Sequence, residues 1–213
     1  MEDNTIIQKI ISFITALGRN AIPIGVVMFG GSSVQTAMTL YFLETLVAII
    51  LAAIFVRLRA PAEDPGYASI SSTHSKIISN GHVSYRYQTG SRRTLIQNFL
   101  LVSLAFSIIP GIFMVFFVFL ILHADVSYAT ITSGLAGIAA FQVVNFITEF
   151  FVFGVLTPES ASNFLNQSMG RSALIYFSVF AGMILAVFAR SWFLIPFAAL
   201  KTIADVSYAF KRN

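Results

Sequence analysis

The sequence predicts an all-α fold, a polytopic transmembrane bundle of about six helices, and three observations predict it. Only 10% of the 213 residues are charged and 57% are hydrophobic, where a soluble domain carries about 25% charged residues. The mean hydropathy is +0.82. The apolar residues also gather into stretches close to the roughly 20 residues that cross a bilayer. So little charge cannot coat a soluble globule, which excludes an ordinary soluble enzyme. The whole chain, 1–213, therefore reads as a single integral membrane domain.

The expected spans lie near 8–31, 35–56, 94–122, 129–156, 172–189 and 192–210. The first is interrupted by Gly18-Arg19-Asn20 and by Pro23. Its front half sets Ile6, Ile7, Ile10, Ile11, Ile14 and Leu17 on one face and Gln8, Lys9, Ser12 and Thr15 opposite. That pattern fits an amphipathic helix lying in the interface before it turns in, or one long span kinked near Pro23. A span is favoured, because Ala21–Gly31 alone is too short to cross. The start, Met1-Glu2-Asp3-Asn4, is acidic where a signal peptide has a basic region, so this segment is expected to be retained.

Gln35–Val56 is a clear second span, stopped by Arg57 and Arg59. The loop 57–93 is the longest polar segment. In it, Asn80-Gly81 between Lys76–Ser79 and His82–Gln88 suits the type I′ turn of a short β-hairpin, against the alternative of an irregular loop. The third span carries Pro110-Gly111 near its middle, where a kink is expected. Thr157–Arg171 reads as a polar connection before the fifth span, and Arg190-Ser191 as a tight turn before the sixth. Arg57, Arg59, Lys76, Arg86, Arg92 and Arg93 border or occupy the long loop, so the positive-inside bias makes that loop cytoplasmic. Six spans then place both termini in the cytoplasm, in agreement with Lys211 and Arg212.

An ionisable group at a helix centre costs about 2.5–3.5 kcal/mol on insertion scales, so each one needs a partner or a purpose. Glu44, Glu149, Lys201 and Asp205 stand out, the last two four residues apart on one helix face. Gln142, Asn145 and Glu149 form a polar stripe on the fourth span, and Tyr41, Glu44 and Thr45 a shorter patch on the second. Lys201 is read as the one cation deep enough to meet these acids. Arg19 is expected to snorkel and Arg190 to anchor at the interface beside Trp192. The candidate binding or proton-relay residues are thus Glu44, Glu149, Lys201, Asp205, Tyr41, Asn145 and Gln142. No catalytic residue and no cofactor is indicated. There is no cysteine, and His74, His82 and His123 lack metal-ligand spacing, so no metal is expected either.

Asn20-Ala-Ile-Pro23 followed by Gly31, then Tyr41-x-x-Glu44, then Lys201-x-x-x-Asp205, resembles a prokaryotic membrane family known as domain of unknown function 6498. The resemblance covers nearly the whole chain. It implies a multi-pass bundle in a prokaryotic inner or plasma membrane and no particular activity. In that family the early span reads Tyr-Trp-x-Glu-Asn, so Phe42 and Thr45 depart from it. The third span there tends to carry histidines near a glycine, and Ile109–Phe113 has none, so no histidine-dependent role carries over. Glu44, Lys201 and Asp205 do.

Three functions remain open on the sequence. One is a small solute or proton-coupled transporter using the charged cluster. Another is a membrane subunit or scaffold whose buried charges hold helices together. An integral-membrane enzyme acting on lipids ranks last, since no nucleophile–base pair is visible. The expected partners are the lipid bilayer and a membrane protein or a second copy of the chain. Nucleic acid is not expected, because the net charge of +4 sits at span ends.

Overall fold

The computed structural model describes residues 2–31, 33–61, 67–68, 75–79, 82–86, 89–116, 127–152, 154–189, 198–199, 201–203 and 205–206. The expected end of the third span, the Asn80-Gly81 turn, the turn near His123, the Arg190–Trp192 corner and most of the sixth span lie outside them. Five helices are described: α1 (Glu2–Met28), α2 (Val34–Arg59), α3 (Arg92–Val115), α4 (Tyr128–Val152) and α5 (Pro158–Ala189). The described residues between 198 and 206 are helical too. Val34–Arg59, Arg92–Val115 and Tyr128–Phe151 are long and apolar enough to cross a membrane, and Phe13–Met28 is a shorter apolar helix.

Between α2 and α3 lie short strands β1 (Tyr67–Ala68), β2 (Ser75–Ser79), β3 (His82–Arg86) and β4 (Thr89–Gly90). β2 pairs antiparallel with β3, with Ser79 opposite His82, and β1 pairs antiparallel with β4.

α2 is the hub. It packs against α1, α3, α4 and α5, while α1 rests mainly on α4, and α3 is shared between α2 and α5. Its apolar window is 56% buried, against 22% for α3 and 17% for α4. Ser33 starts α2 by accepting a hydrogen bond from the Thr36 amide at 3.3 Å, and Gly31 makes the preceding turn at φ 63°, a conformation that suits a residue without Cβ. At the other end the Leu156 amide bonds the Arg59 carbonyl at 3.0 Å, and Arg92 reaches the Ala60 carbonyl at 2.6 Å. The end of α2 and the starts of α3 and α5 therefore meet at one end of the bundle.

Around an apolar core centred on α2, the exterior is apolar too, unlike that of a soluble protein. On α1, Ile10, Ile14 and Leu17 are exposed, whereas Thr15, Arg19 and Asn20 are buried. On α3, Leu101, Ile108, Ile109 and Ile112 face outward and Ser103 and Ser107 inward. An apolar exterior of this extent is stable only against lipid, where polar side chains find their partners between helices. The three long apolar helices and this exterior mark a membrane protein.

Two expectations change. Gly18-Arg19-Asn20 and Pro23 do not break α1, which runs unbroken through both. At Gly18 the bare backbone matters, since a Cβ there would come within 2.5 Å of the Phe141 ring of α4. The segment 157–171 is also no connection, because α5 begins at Pro158. Proline at the first helical position wastes no backbone donor, and Thr157 caps the helix by accepting from the Ser160 amide at 3.2 Å. Ala161, Leu165, Ser172, Ile175, Tyr176 and Val179 then fall on one buried stripe. The Ser, Asn and Gln residues that lower the hydropathy decorate the faces of this helix.

Candidate functional site

The candidate residues from distant parts of the chain converge beside the middle of α2. Lys201 is fully buried and spends its ammonium on four oxygens: Asn20 Oδ1 at 2.5 Å, Glu44 Oε1 and Oε2 at 3.1 and 3.0 Å, and Asp205 Oδ2 at 3.1 Å. Asn20 Nδ2 donates to the same Asp205 oxygen at 3.1 Å. The other Asp205 oxygen accepts from Arg171 Nε at 2.8 Å. The Tyr41 hydroxyl donates to the Asn20 carbonyl at 3.1 Å, and its ring centroid lies 5.0 Å from Lys201 Nζ, within cation–π range. α1, α2, α5 and the closing helical residues are thus tied by one ionic knot. Burying a lysine is costly unless its hydrogen bonds are met, and here each proton has an oxygen to go to.

The α4 stripe stands next to the knot. Gln142 Nε2 donates to the Glu44 carbonyl at 2.9 Å. Asn145 Nδ2 donates to Glu149 Oε1 at 2.8 Å, and Thr15 of α1 donates to Asn145 Oδ1 at 3.2 Å. Gln142, Asn145 and Glu149 border a cavity of about 80 Å³. Its polar wall includes Arg19, Glu44, Gln142, Glu149, Ser168 and Arg171, and its apolar wall includes Ala48, Leu51, Phe55 and Phe146. Among the described residues, five buried side-chain atoms have no hydrogen-bond partner: Arg59 Nε and Ser103 Oγ lie elsewhere, and the other three are Arg19 Nε, Arg171 Nη2 and Gln142 Oε1. All three side chains line this one cavity.

All seven candidates named from the sequence are therefore brought together, Tyr41, Glu44, Lys201 and Asp205 in the knot and Gln142, Asn145 and Glu149 along the cavity. Residues 5–213 match a family described as a family of unknown function (DUF6498). The chain belongs to this family. No curated protein and no solved structure matches it. In the DUF6498 chain Lys201 thus pairs with both Glu44 and Asp205, and the Tyr41 ring lies beside its ammonium.

Sequence reasoning missed two cations of the DUF6498 site. Arg19 is 6% exposed and turns inward instead of snorkelling. Arg171 pairs with Asp205 at 2.8 Å and stands 3.9 Å from Glu44. Lys201 is thus not the one deep cation. The signal for Arg171 was Thr157-Pro158-Glu159 as a helix start, which carries the helix through position 171. Asn20, at the expected interruption of the first span, is a ligand of Lys201. With these residues included, the bases Arg19, Arg171 and Lys201 balance the acids Glu44, Glu149 and Asp205. The site carries no formal net charge among the described residues. Among the described residues, no group of three or more His, Asp or Glu side chains is placed to hold a metal ion.

Proposed function

We propose that this protein is a small transporter, taking a polar solute or a proton through a six-span bundle in a prokaryotic inner or plasma membrane, with both termini cytoplasmic. The observation that carries the reading is the cavity between the helices, walled by Arg19 and Arg171 on one side of the charge balance and Glu44 and Glu149 on the other. Charges of both signs bordering open space inside an apolar bundle are costly to retain for packing alone, and they offer a polar solute or a proton a place to bind. In this reading lipid surrounds the apolar exterior, and the basic segment between α2 and α3 lies on the cytoplasmic face.

The test is flux. Vesicles containing the purified protein and an internal pH dye are expected to dissipate an imposed pH gradient or take up small polar solutes. Glu44→Gln abolishes that flux with the fold intact by circular dichroism. Glu149→Gln, which removes a carboxylate from the cavity wall, does the same should the first variant unfold. Absence of flux from the native protein, or undiminished flux in both variants, overturns the reading.

A second reading, a membrane subunit whose charges hold helices, is favoured by one specific observation. Every proton of Lys201 has an acceptor within 3.1 Å, as a purely structural ion cluster requires. It differs in predicting that an apolar pair replacing Glu44 and Lys201 leaves function unchanged.

A further inference from the structure

The end of the bundle where α2 stops and α3 starts carries an arginine cluster that takes no part in the cavity. Arg57 and Arg59 lie in the last turn of α2, and Arg92 and Arg93 open α3. Two of these side chains hold the fold. Arg92 donates to the Ala60 carbonyl at 2.6 Å, and the Arg59 guanidinium lies 3.9 Å from the centre of the Phe150 ring. The other two, Arg57 and Arg93, are exposed. Among the described residues neither pairs with a carboxylate, the exposed Glu159 at the start of α5 included. No acid stands in the first turn of α3. The segment 57–93 as a whole sets six arginines and lysines against Glu63 and Asp64 alone.

Helical geometry puts both exposed arginines beside the seam between α2 and α3. The helices approach closely where a Cβ on Gly111 would come 3.0 Å from the Phe42 ring. Arg93 lies about five whole turns along α3 from Gly111, and so on the same line of that helix. Ala60 lies about five whole turns along α2 from Phe42, and Arg57 is one turn short of Ala60. Toward the middle of the bundle each arginine is followed by an exposed apolar stripe, Ile50 and Ile54 on α2 and Leu101 and Leu104 on α3. In a bilayer such stripes meet acyl chains, and charged groups at the ends of spans stand at headgroup depth.

A zwitterionic lipid would bring its own cation to compete with the two guanidinium groups. A free phosphate ion would have nothing to lay along the stripes. We propose that the α2–α3 seam binds an anionic phospholipid, its phosphate accepting from Arg57 and Arg93 and its acyl chains lying along the two stripes. Guanidinium forks match phosphate oxygens in pairs, which an ammonium does not do. Basic sites between spans are suited to such headgroups.

The experiment is a titration of the purified full-length protein, in neutral detergent, with phosphatidylglycerol, phosphatidylcholine or inorganic phosphate. Phosphatidylglycerol is expected to raise Tm saturably by several degrees, as a ligand of the folded state does, and the other two leave it unchanged. Arg57→Gln/Arg93→Gln weakens that binding about tenfold or more with the lipid-free Tm unchanged. Each single variant weakens it about threefold or more, which keeps the test decisive should the double variant fail to fold. Lys211→Gln/Arg212→Gln removes the same charge from the chain and keeps native binding. No saturable rise with phosphatidylglycerol, an equal rise with phosphatidylcholine or phosphate, native binding in the arginine variants, or an equal loss in the Lys211→Gln/Arg212→Gln chain overturns the proposal. The readout is Tm and not flux, so this proposal and the transport reading can each fail alone.

Discussion

Two polar regions touch at the centre of this bundle and differ in how they are finished. In the Lys201 knot, ammonium, amide and carboxylates satisfy one another across three segments of the chain. In the cavity a few ångströms away, Arg19 and Gln142 each carry a buried atom with no hydrogen-bond partner among the described residues, and Arg171 Nη2 has only the Glu44 carboxylate at 3.9 Å. Glu44 belongs to both: its carboxylate holds Lys201, and it lines the cavity. Burial of charge alone therefore does not separate structure from function here. The degree of satisfaction does, because a closed network fixes helices while an unfinished one awaits a ligand.

The largest way to break this comparison is to open the knot. Lys201→Met leaves Glu44, Asp205 and Asn20 facing one another without their common cation. Removing one partner of a buried pair costs about 3–5 kcal/mol. Chemical denaturation in detergent is expected to show a loss of that size. Adding Glu44→Leu to the same chain should recover part of it, since the cluster then loses one buried charge of each sign. A double variant no more stable than Lys201→Met would mean that the pair is not the unit that holds the helices.

How much of this was readable without coordinates depends on what each residue had to announce itself against. Glu44, Glu149, Lys201 and Asp205 are conspicuous because a charge inside an apolar run is costly on its face. The four-residue spacing of Lys201 and Asp205 carried their contact directly. Arg171 was hidden because α5 starts with a polar half, Pro158–Arg171, whose hydropathy reads as a loop although its buried stripe has helical spacing. Arg19 was hidden for a different reason. Long cations near a span end usually reach for water, and nothing local reveals that Asp205, far along the chain, stands on the inner side. The cavity was not readable at all. It exists because Ala48, Ala52 and Ser168 are small where α2, α4 and α5 face one another, and only the packing of three helices shows that they fail to fill the space.

A weaker perturbation sits on the border of the two regions. Arg171→Met removes the bond to Asp205 Oδ1, but Lys201 and Asn20 still serve the other oxygen. Hydrogen bonds to charged groups contribute about 1.5–3 kcal/mol, and the 23% exposure of the Arg171 side chain lets water replace part of it. The expected loss is near the lower end, about 1–2 kcal/mol, measured by the same denaturation. A loss equal to that of Lys201→Met would place Arg171 inside the knot rather than on its rim.

The smallest expected effect sharpens the comparison most. Gln142 donates to the Glu44 carbonyl at 2.9 Å and leaves its own oxygen unpartnered among the described residues. Gln142→Leu gives up one ordinary hydrogen bond, about 1 kcal/mol, and also removes a buried orphan whose desolvation costs about 1–3 kcal/mol. The two nearly cancel or favour the variant, so ligand-free stability should stay within about 1 kcal/mol of the native protein or rise above it. A structural glutamine, with both ends engaged, would instead show a clear loss when replaced. Denaturation of this variant in detergent, without ligand, decides between them: a loss above about 2 kcal/mol would mean that the cavity side is as closed as the knot, and the distinction between the two regions would fall with it.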